Sequence, residues 1–141
     1  MKRIGSAVWT GGFADGAGTI STASGALAQS PYSVSGRFAD GPGTNPEELL
    51  GAAHAACFSM AFSRVLGAAN HAPVEISTQA EVVLAKVDDG YAITTVHLAT
   101  QAKVPGLAED EFQKLAETAK TFCPVSKALS VKITFAATLV A

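Results

Sequence analysis

The stretch TNPEELLGAAHAACFSM, residues 44–60, announces a helix in its first five letters. Asn45 is a good cap, and Pro46 suits the first helical position, where a missing N–H costs nothing. Glu48 stands three residues beyond the cap, where a capping-box glutamate belongs. The pattern predicts a helix from Pro46 to about Ala69. After its first turn the polar residues are limited to His54, Ser59, Ser63 and Arg64. A helix apolar around nearly its whole circumference is expected to lie buried at the centre of the fold. It carries a carboxylate at its mouth, Glu47, and a thiol ten residues further in, Cys57. At about 1.5 Å per residue they stand roughly 15 Å apart along one straight helix, too far for two short side chains to meet.

On the N-terminal side, SAVWTG, GTIST and YSVSGRF read as short β-runs separated by Gly11-Gly12, Asp15-Gly16 and Ser24-Gly25, which predicts a small antiparallel meander. On the C-terminal side, VEISTQAEVVLAKV (74–87) alternates, Asp89-Gly90 marks a hairpin turn, and Tyr91 to Val104 again favours strand. Beyond Val104-Pro105-Gly106, early acids at Glu109 and Asp110 open a second helix. Its packed face is spaced as Phe112, Leu115, Ala116, Ala119 and Phe122. CPVSKAL reads as a short extra helix capped by Cys123 with Pro124 at its first position, and VKITFAATLV as a closing strand. With no repeat and no linker, residues 1–141 are expected to form a single α+β domain.

Composition narrows the classes of function. Hydrophobic content of 48% with 16% charged residues is that of an ordinary globular chain. A net charge of −2, with ten scattered Lys and Arg, gives no basic patch for nucleic acid. Behind Met1-Lys2-Arg3 there is no apolar run of the roughly 7–15 residues that make a signal-peptide core, so a cytoplasmic protein is expected. The most apolar stretch, AACFSMAF, is broken by Ser63, Arg64 and Asn70 short of the roughly 20 residues of a membrane span, so no membrane association is expected.

Two cysteines are too few for a secreted disulfide framework or an all-thiolate metal site. Cys57 lies mid-helix in apolar company, where desolvation raises a thiol pKa. Reactivity there requires a cationic or hydrogen-bonding neighbour. Cys123, before a proline at a helix start, sits where unpaired N–H groups favour a thiolate, and on that ground alone it is as good a nucleophile. His54, one turn before Cys57, is placed to polarise a thiol, though core histidines are commoner. Cys57, His54 and Cys123 would make only a three-ligand zinc set with no evident fourth ligand. His71 and His97 occupy unremarkable loop and strand positions.

GTNPEELLGAAHAACFSM together with CPVSKAL resembles the OsmC/Ohr family of thiol peroxidases, and within it the OsmC branch. PYSVSGRF, the SxxSG turn at Ser21 to Gly25 and the VPG loop at 104–106 extend the resemblance over essentially the whole chain. It implies an OsmC-like fold, with antiparallel sheets around a long buried central helix in an intertwined homodimer. It implies reduction of organic hydroperoxides, and more weakly of hydrogen peroxide, without metal or prosthetic group and with an external dithiol, lipoyl-type, as reductant. Defence against oxidative or osmotic stress is the implied setting. The resemblance makes Cys57 the peroxidatic thiol, Cys123 the resolving thiol, and Arg37 and Glu47 the polar partners of the reacting sulfur. The Ohr branch takes its arginine from the loop that here reads TGGFADG, where Phe13 stands, so Arg37 is assigned as in the OsmC branch.

Acidifying Cys57 would not be the main service of Arg37. A thiol with pKa about 8.5 is roughly 3% ionised at pH 7, and lowering that pKa by about two units gains roughly 25-fold in thiolate. Nucleophilicity falls roughly 8-fold over the same range, leaving about 3-fold. Holding the peroxide in line and stabilising the departing oxygen are worth more. The 15 Å gap closes if two copies of the helix pack antiparallel across a twofold axis near residue 52, where Gly51, Ala52, Ala53, Ala55 and Ala56 allow close approach. Each site would then take Glu47 and Arg37 from the partner. Two other classes remain: a cysteine hydrolase or acyltransferase, for which AACFSM lacks a strand–turn elbow, and a non-catalytic small-ligand binder on the same fold.

Overall fold

The computed structural model describes residues 1–140, which divide into two compact units, residues 1–49 and residues 50 onward. In the first unit β1 (Gly5–Thr10), β2 (Ala17–Thr22) and β3 (Ser30–Ser33) form the expected antiparallel meander. Its third strand is shorter than the sequence predicts. Val34–Phe38 is a short helix, α1, so Arg37 sits on a helix rather than a strand. The cause is local: the Ser33 hydroxyl accepts the N–H of Gly36 at 3.1 Å, which caps a helix and diverts the backbone from the ladder.

The loop after α1 is tied back to β3. Thr44 donates its N–H to the Pro31 carbonyl at 3.0 Å, and Asn45 donates its side-chain amide to the Gly36 carbonyl at 3.2 Å. Gly43 makes this return possible. Its φ is +100°, and a Cβ there would lie 2.4 Å from the Pro31 oxygen.

The long helix α2 spans Pro46–Ala68. Asn45 caps it by accepting the Glu48 N–H at 2.8 Å, while the Glu48 carboxylate takes the Thr44 hydroxyl at 3.2 Å instead of closing a capping box. By length and composition alone α2 could cross a membrane. In the structure a stripe at helical spacing, Gly51, His54, Phe58, Phe62 and Leu66, is buried. The opposite side, including Ala52, Ala53, Ala56 and Met60, is exposed. The expected central burial therefore holds for one face only.

In the second unit β4 (Glu75–Val87) and β5 (Gly90–Lys103) make the long hairpin. Its two-residue loop is Asp88-Asp89, with Gly90 opening β5 at φ +130°, one residue earlier than the sequence suggests. Gly51 serves this hairpin, since a Cβ on it would come within 2.8 Å of the Ala80 carbonyl oxygen. Two helices follow, α3 (Glu109–Phe122) and α4 (Pro124–Ala128), and then β6 (Lys132–Val140). The last strand pairs parallel to β5, so this sheet is mixed rather than antiparallel. The two helices supply the long crossover that a parallel neighbour requires.

The core packs Phe58, Phe62 and Leu66 of α2 against Leu98 and Ala102 of β5 and Phe112, Ala116 and Ala119 of α3. Ring centroids lie 5.7 Å apart for Phe58 and Phe62 and 5.4 Å for Phe62 and Phe112, within the range of favourable aromatic pairs. Phe122, expected on the packed face of α3, is 59% exposed.

Phe62→Ala should cost about 3–5 kcal/mol, read as a lower midpoint in urea. His54 is fully buried, and burial lowers its proton affinity below the ordinary histidine value. An unfolded histidine, with pKa about 6.5, then binds the proton more readily than the folded one. Stability should be flat above that pH and fall as pH drops below it. His54→Gln should flatten this slope in urea midpoints measured from pH 7.5 to 5.

Candidate active site

Two pairs of the sequence's candidate residues are assembled, one in each unit. In the first, the Ser33 cap and the pinned loop bring Arg37 on α1 to Glu47 in the first turn of α2. Arg37 donates from Nε to both carboxylate oxygens, at 3.2 and 3.1 Å, and from a terminal nitrogen to Oε1 at 2.7 Å. Such a fork fixes the plane of the guanidinium as well as its position. Hydrogen bonding to Glu47 raises the Arg37 pKa further, so the guanidinium is a permanent cation. Glu47 is buried and Arg37 is partly open to solvent, leaving the remaining N–H edge of the cation available. Arg37 also lies 5.3 Å from the centroid of the Phe38 ring. Beside it opens a cavity of about 300 Å³ lined by Trp9, Phe13, Tyr32, Phe38 and Pro46. Phe13, in the TGGFADG loop, thus faces the same space as Arg37.

In the second unit Cys57 and Cys123 are free thiols close enough to act on each other's ionisation. The burial stripe of α2 sets the rotation of that helix, which turns Cys57 toward the junction of α3 and α4. Cys123 is that junction: it ends the first of these helices and caps the second. Burial pushes the Cys57 thiol up, with the Val125 N–H opposing and Cys123 adding to the rise. Burial would also raise Cys123. It is outweighed by the hydroxyl and backbone N–H of Ser126, the Cys57 thiol and the Val125 N–H, which together hold Cys123 below the ordinary thiol value. Of the two sulfurs, Cys123 holds the negative charge more readily.

His54 does not touch the sulfurs as a polarising base. Its Nε2 lies 2.8 Å from the Ser126 hydroxyl, and its buried Nδ1 has no partner among the described residues. Ser126 was not singled out in the sequence. The signal was present, because the third residue after a helix cap directs its N–H at the cap side chain. Among the described residues no group of three or more His, Cys, Asp or Glu is placed to hold a metal ion.

From Cys57 a groove of about 760 Å³ runs along α2. Met60, Ala61, Arg64, Val65 and Ala68 line one side, and Leu115, Thr118 and Phe122 of α3 line the other. The exposure of Phe122 is explained here, since it forms a wall of the groove. The lining is apolar apart from Arg64, Thr118 and the thiol, and it can hold an aliphatic chain with one end at the sulfur.

A family model described as OsmC-like protein matches residues 39–137. The chain is 51% identical over 134 residues to the peroxiredoxin OsmC of Escherichia coli (strain K12), covering 95% of this chain and 94% of that one. It is 34% identical over 102 residues to an organic hydroperoxide resistance protein of Xanthomonas axonopodis pv. citri (strain 306), covering 72% and 70%. The crystal structure of the organic hydroperoxide resistance protein OhrB of Bacillus subtilis superposes with a TM-score of 0.69 at 26% identity, over 97% of this chain and 98% of that one. Matched by this family model over more than half of its length and half identical to a member along nearly all of it, the chain belongs to the OsmC-like protein family.

Proposed function

We propose that the protein is a thiol-dependent peroxidase that reduces organic hydroperoxides to alcohols, with Cys57 as the attacking sulfur and Cys123 as the resolving one. Two mutually acting thiols, one of them opening on an apolar groove, carry this reading. The Cys57 thiolate attacks one peroxide oxygen and the O–O bond breaks. The alkoxide leaves and takes a proton to become the alcohol, and Cys57 is oxidised to a sulfenic acid. The Cys123 thiolate then attacks the Cys57 sulfur. The S–O bond breaks, hydroxide leaves and is protonated to water, and a disulfide forms. The two thiol protons end on the alcohol and the water.

An external dithiol, of lipoyl type by family resemblance, returns the pair to thiols by exchange and becomes a disulfide itself. Because Cys123 holds charge more readily than Cys57, it is also the nearest group to accept the Cys57 proton as attack begins. Arg37 directs its free N–H edge at the peroxide, and Glu47 keeps that edge in plane. The apolar groove suits the alkyl part of the substrate. Residues 1–141 act as one OsmC-like domain, and the setting is cytoplasmic defence against oxidative or osmotic stress.

The working unit is a homodimer. Ala52, Ala53, Ala56 and Met60 leave an apolar strip of α2 exposed in the single chain, and a second antiparallel α2 fits it. The pairing sets the mouth of one helix, with Arg37 and Glu47, beside Cys57 of the other. It overcomes the roughly 15 Å of helical rise that separates Glu47 from Cys57 in one chain.

One equivalent of cumene hydroperoxide should give a Cys57–Cys123 disulfide detectable by mass spectrometry. Cys57→Ser should abolish peroxide-dependent thiol oxidation, and unchanged turnover would overturn this reading. Cys123→Ser should complete one turnover and leave a trappable sulfenic acid; if it fails to react at all, the roles of the cysteines are reversed. A mixed dimer of Cys57→Ser and Glu47→Ala chains should regain one good site, about half the activity of the wild-type dimer. If sites are self-contained, that mixture stays inactive.

A further inference from the structure

We infer that Ser126, oriented by His54, is a positioning residue for the resolving sulfur. The inference deepens the peroxidase reading and rests on it. His54 is 0% exposed, with Nε2 2.8 Å from the Ser126 hydroxyl and Nδ1 buried without a partner among the described residues. Ser126 stands in the first turn of α4, three residues after the Cys123 that caps this helix, and with Val125 and Cys57 it favours the Cys123 thiolate.

The network assigns the protons. A neutral imidazole has one N–H, and a serine hydroxyl has one hydrogen to give. If the imidazole proton were on Nδ1, a buried N–H would lack an acceptor. Nε2 would then take the Ser126 hydrogen away from sulfur. With the proton on Nε2, His54 donates to the Ser126 oxygen and the hydroxyl hydrogen is free to point at Cys123. The chain then runs in one sense, from His54 through Ser126 to Cys123. The burial that keeps His54 neutral makes it a fixed donor and not a proton store.

The chemical consequence falls on the second half-reaction. Disulfide closure needs the Cys123 sulfur ionised and aimed at the Cys57 sulfur, in line with the departing hydroxide. Ser126 lies one turn into the helix that Cys123 caps, and it favours the thiolate of Cys123 rather than that of Cys57. Its loss should therefore weigh on closure more than on peroxide attack. A residue that only supported the local fold would slow both steps together.

The test separates the two rates in rapid-mixing experiments with limiting cumene hydroperoxide, following sulfenic acid by dimedone capture and the disulfide by mass spectrometry. Ser126→Ala should slow closure about tenfold, as expected for removing a hydrogen bond to a charged group, and raise the dimedone-trapped fraction. Its attack rate should fall by a clearly smaller factor. Ser126→Thr, which keeps the hydroxyl, should restore closure to within about 2-fold of the wild type. His54→Gln should shift the balance in the same direction as Ser126→Ala. Equal closure in Ser126→Ala and the wild type overturns the inference and leaves the peroxidase reading standing, as does an equal fall in both rates. A wild-type chain that forms no disulfide overturns both.

Discussion

The rotational setting of α2 is the constraint on which the rest depends. Phe58, Phe62 and Leu66 are fully buried against β5 and α3, and no other rotation of the helix would satisfy them. Cys57 is the residue immediately before Phe58, about 100° around the helix. Its direction is therefore inherited from aromatic packing that takes no part in the chemistry. The same packing fixes α3, whose end places Cys123. Two sulfurs that are 66 residues apart in sequence are brought together by one core.

The second pair relies on a different kind of constraint. Arg37 and Glu47 are held by backbone ties close in sequence: a serine cap, a glycine at positive φ, and a loop hydrogen-bonded to the strand it follows. Local devices of this kind position a charge precisely without a large core. Because the salt bridge satisfies the buried carboxylate, Glu47 can serve as a fixed support and Arg37 as the group that reaches out.

Much of this was legible in the sequence because the signals were local. The Asn45-Pro46 start, the alternating strands and the Cys123-Pro124 cap each reside in a few adjacent residues, and the structure keeps all of them. Arg37 was read on a strand because YSVSGRF has strand composition. The Ser33 hydroxyl redirected the backbone at a point where propensity was nearly balanced. The parallel pairing of β6 could not be read, since strand direction depends on the long-range path of the crossover. Phe122 obeyed helical periodicity but lies where α3 leaves the core and walls the groove. Ser126 is placed near Cys123 by the helix cap three residues before it, but its other partner, His54, comes from a distant element that the sequence does not tie to it.

The face of α2 that carries Met60, Arg64 and Ala68 beside Cys57 is distinct from the face that carries Phe58, Phe62 and Leu66. One helix thus keeps two accounts of side chains, one answerable to the fold and one to whatever occupies the groove. Arg64 and Ala68 are exposed and lie outside the proposed dimer strip, so they can change size or charge while the core stripe stays as it is. A lineage built on this helix is free to drift in selectivity without first acquiring a reserve of stability. The cysteine, standing at the border of the two faces, is the position that both must hold constant.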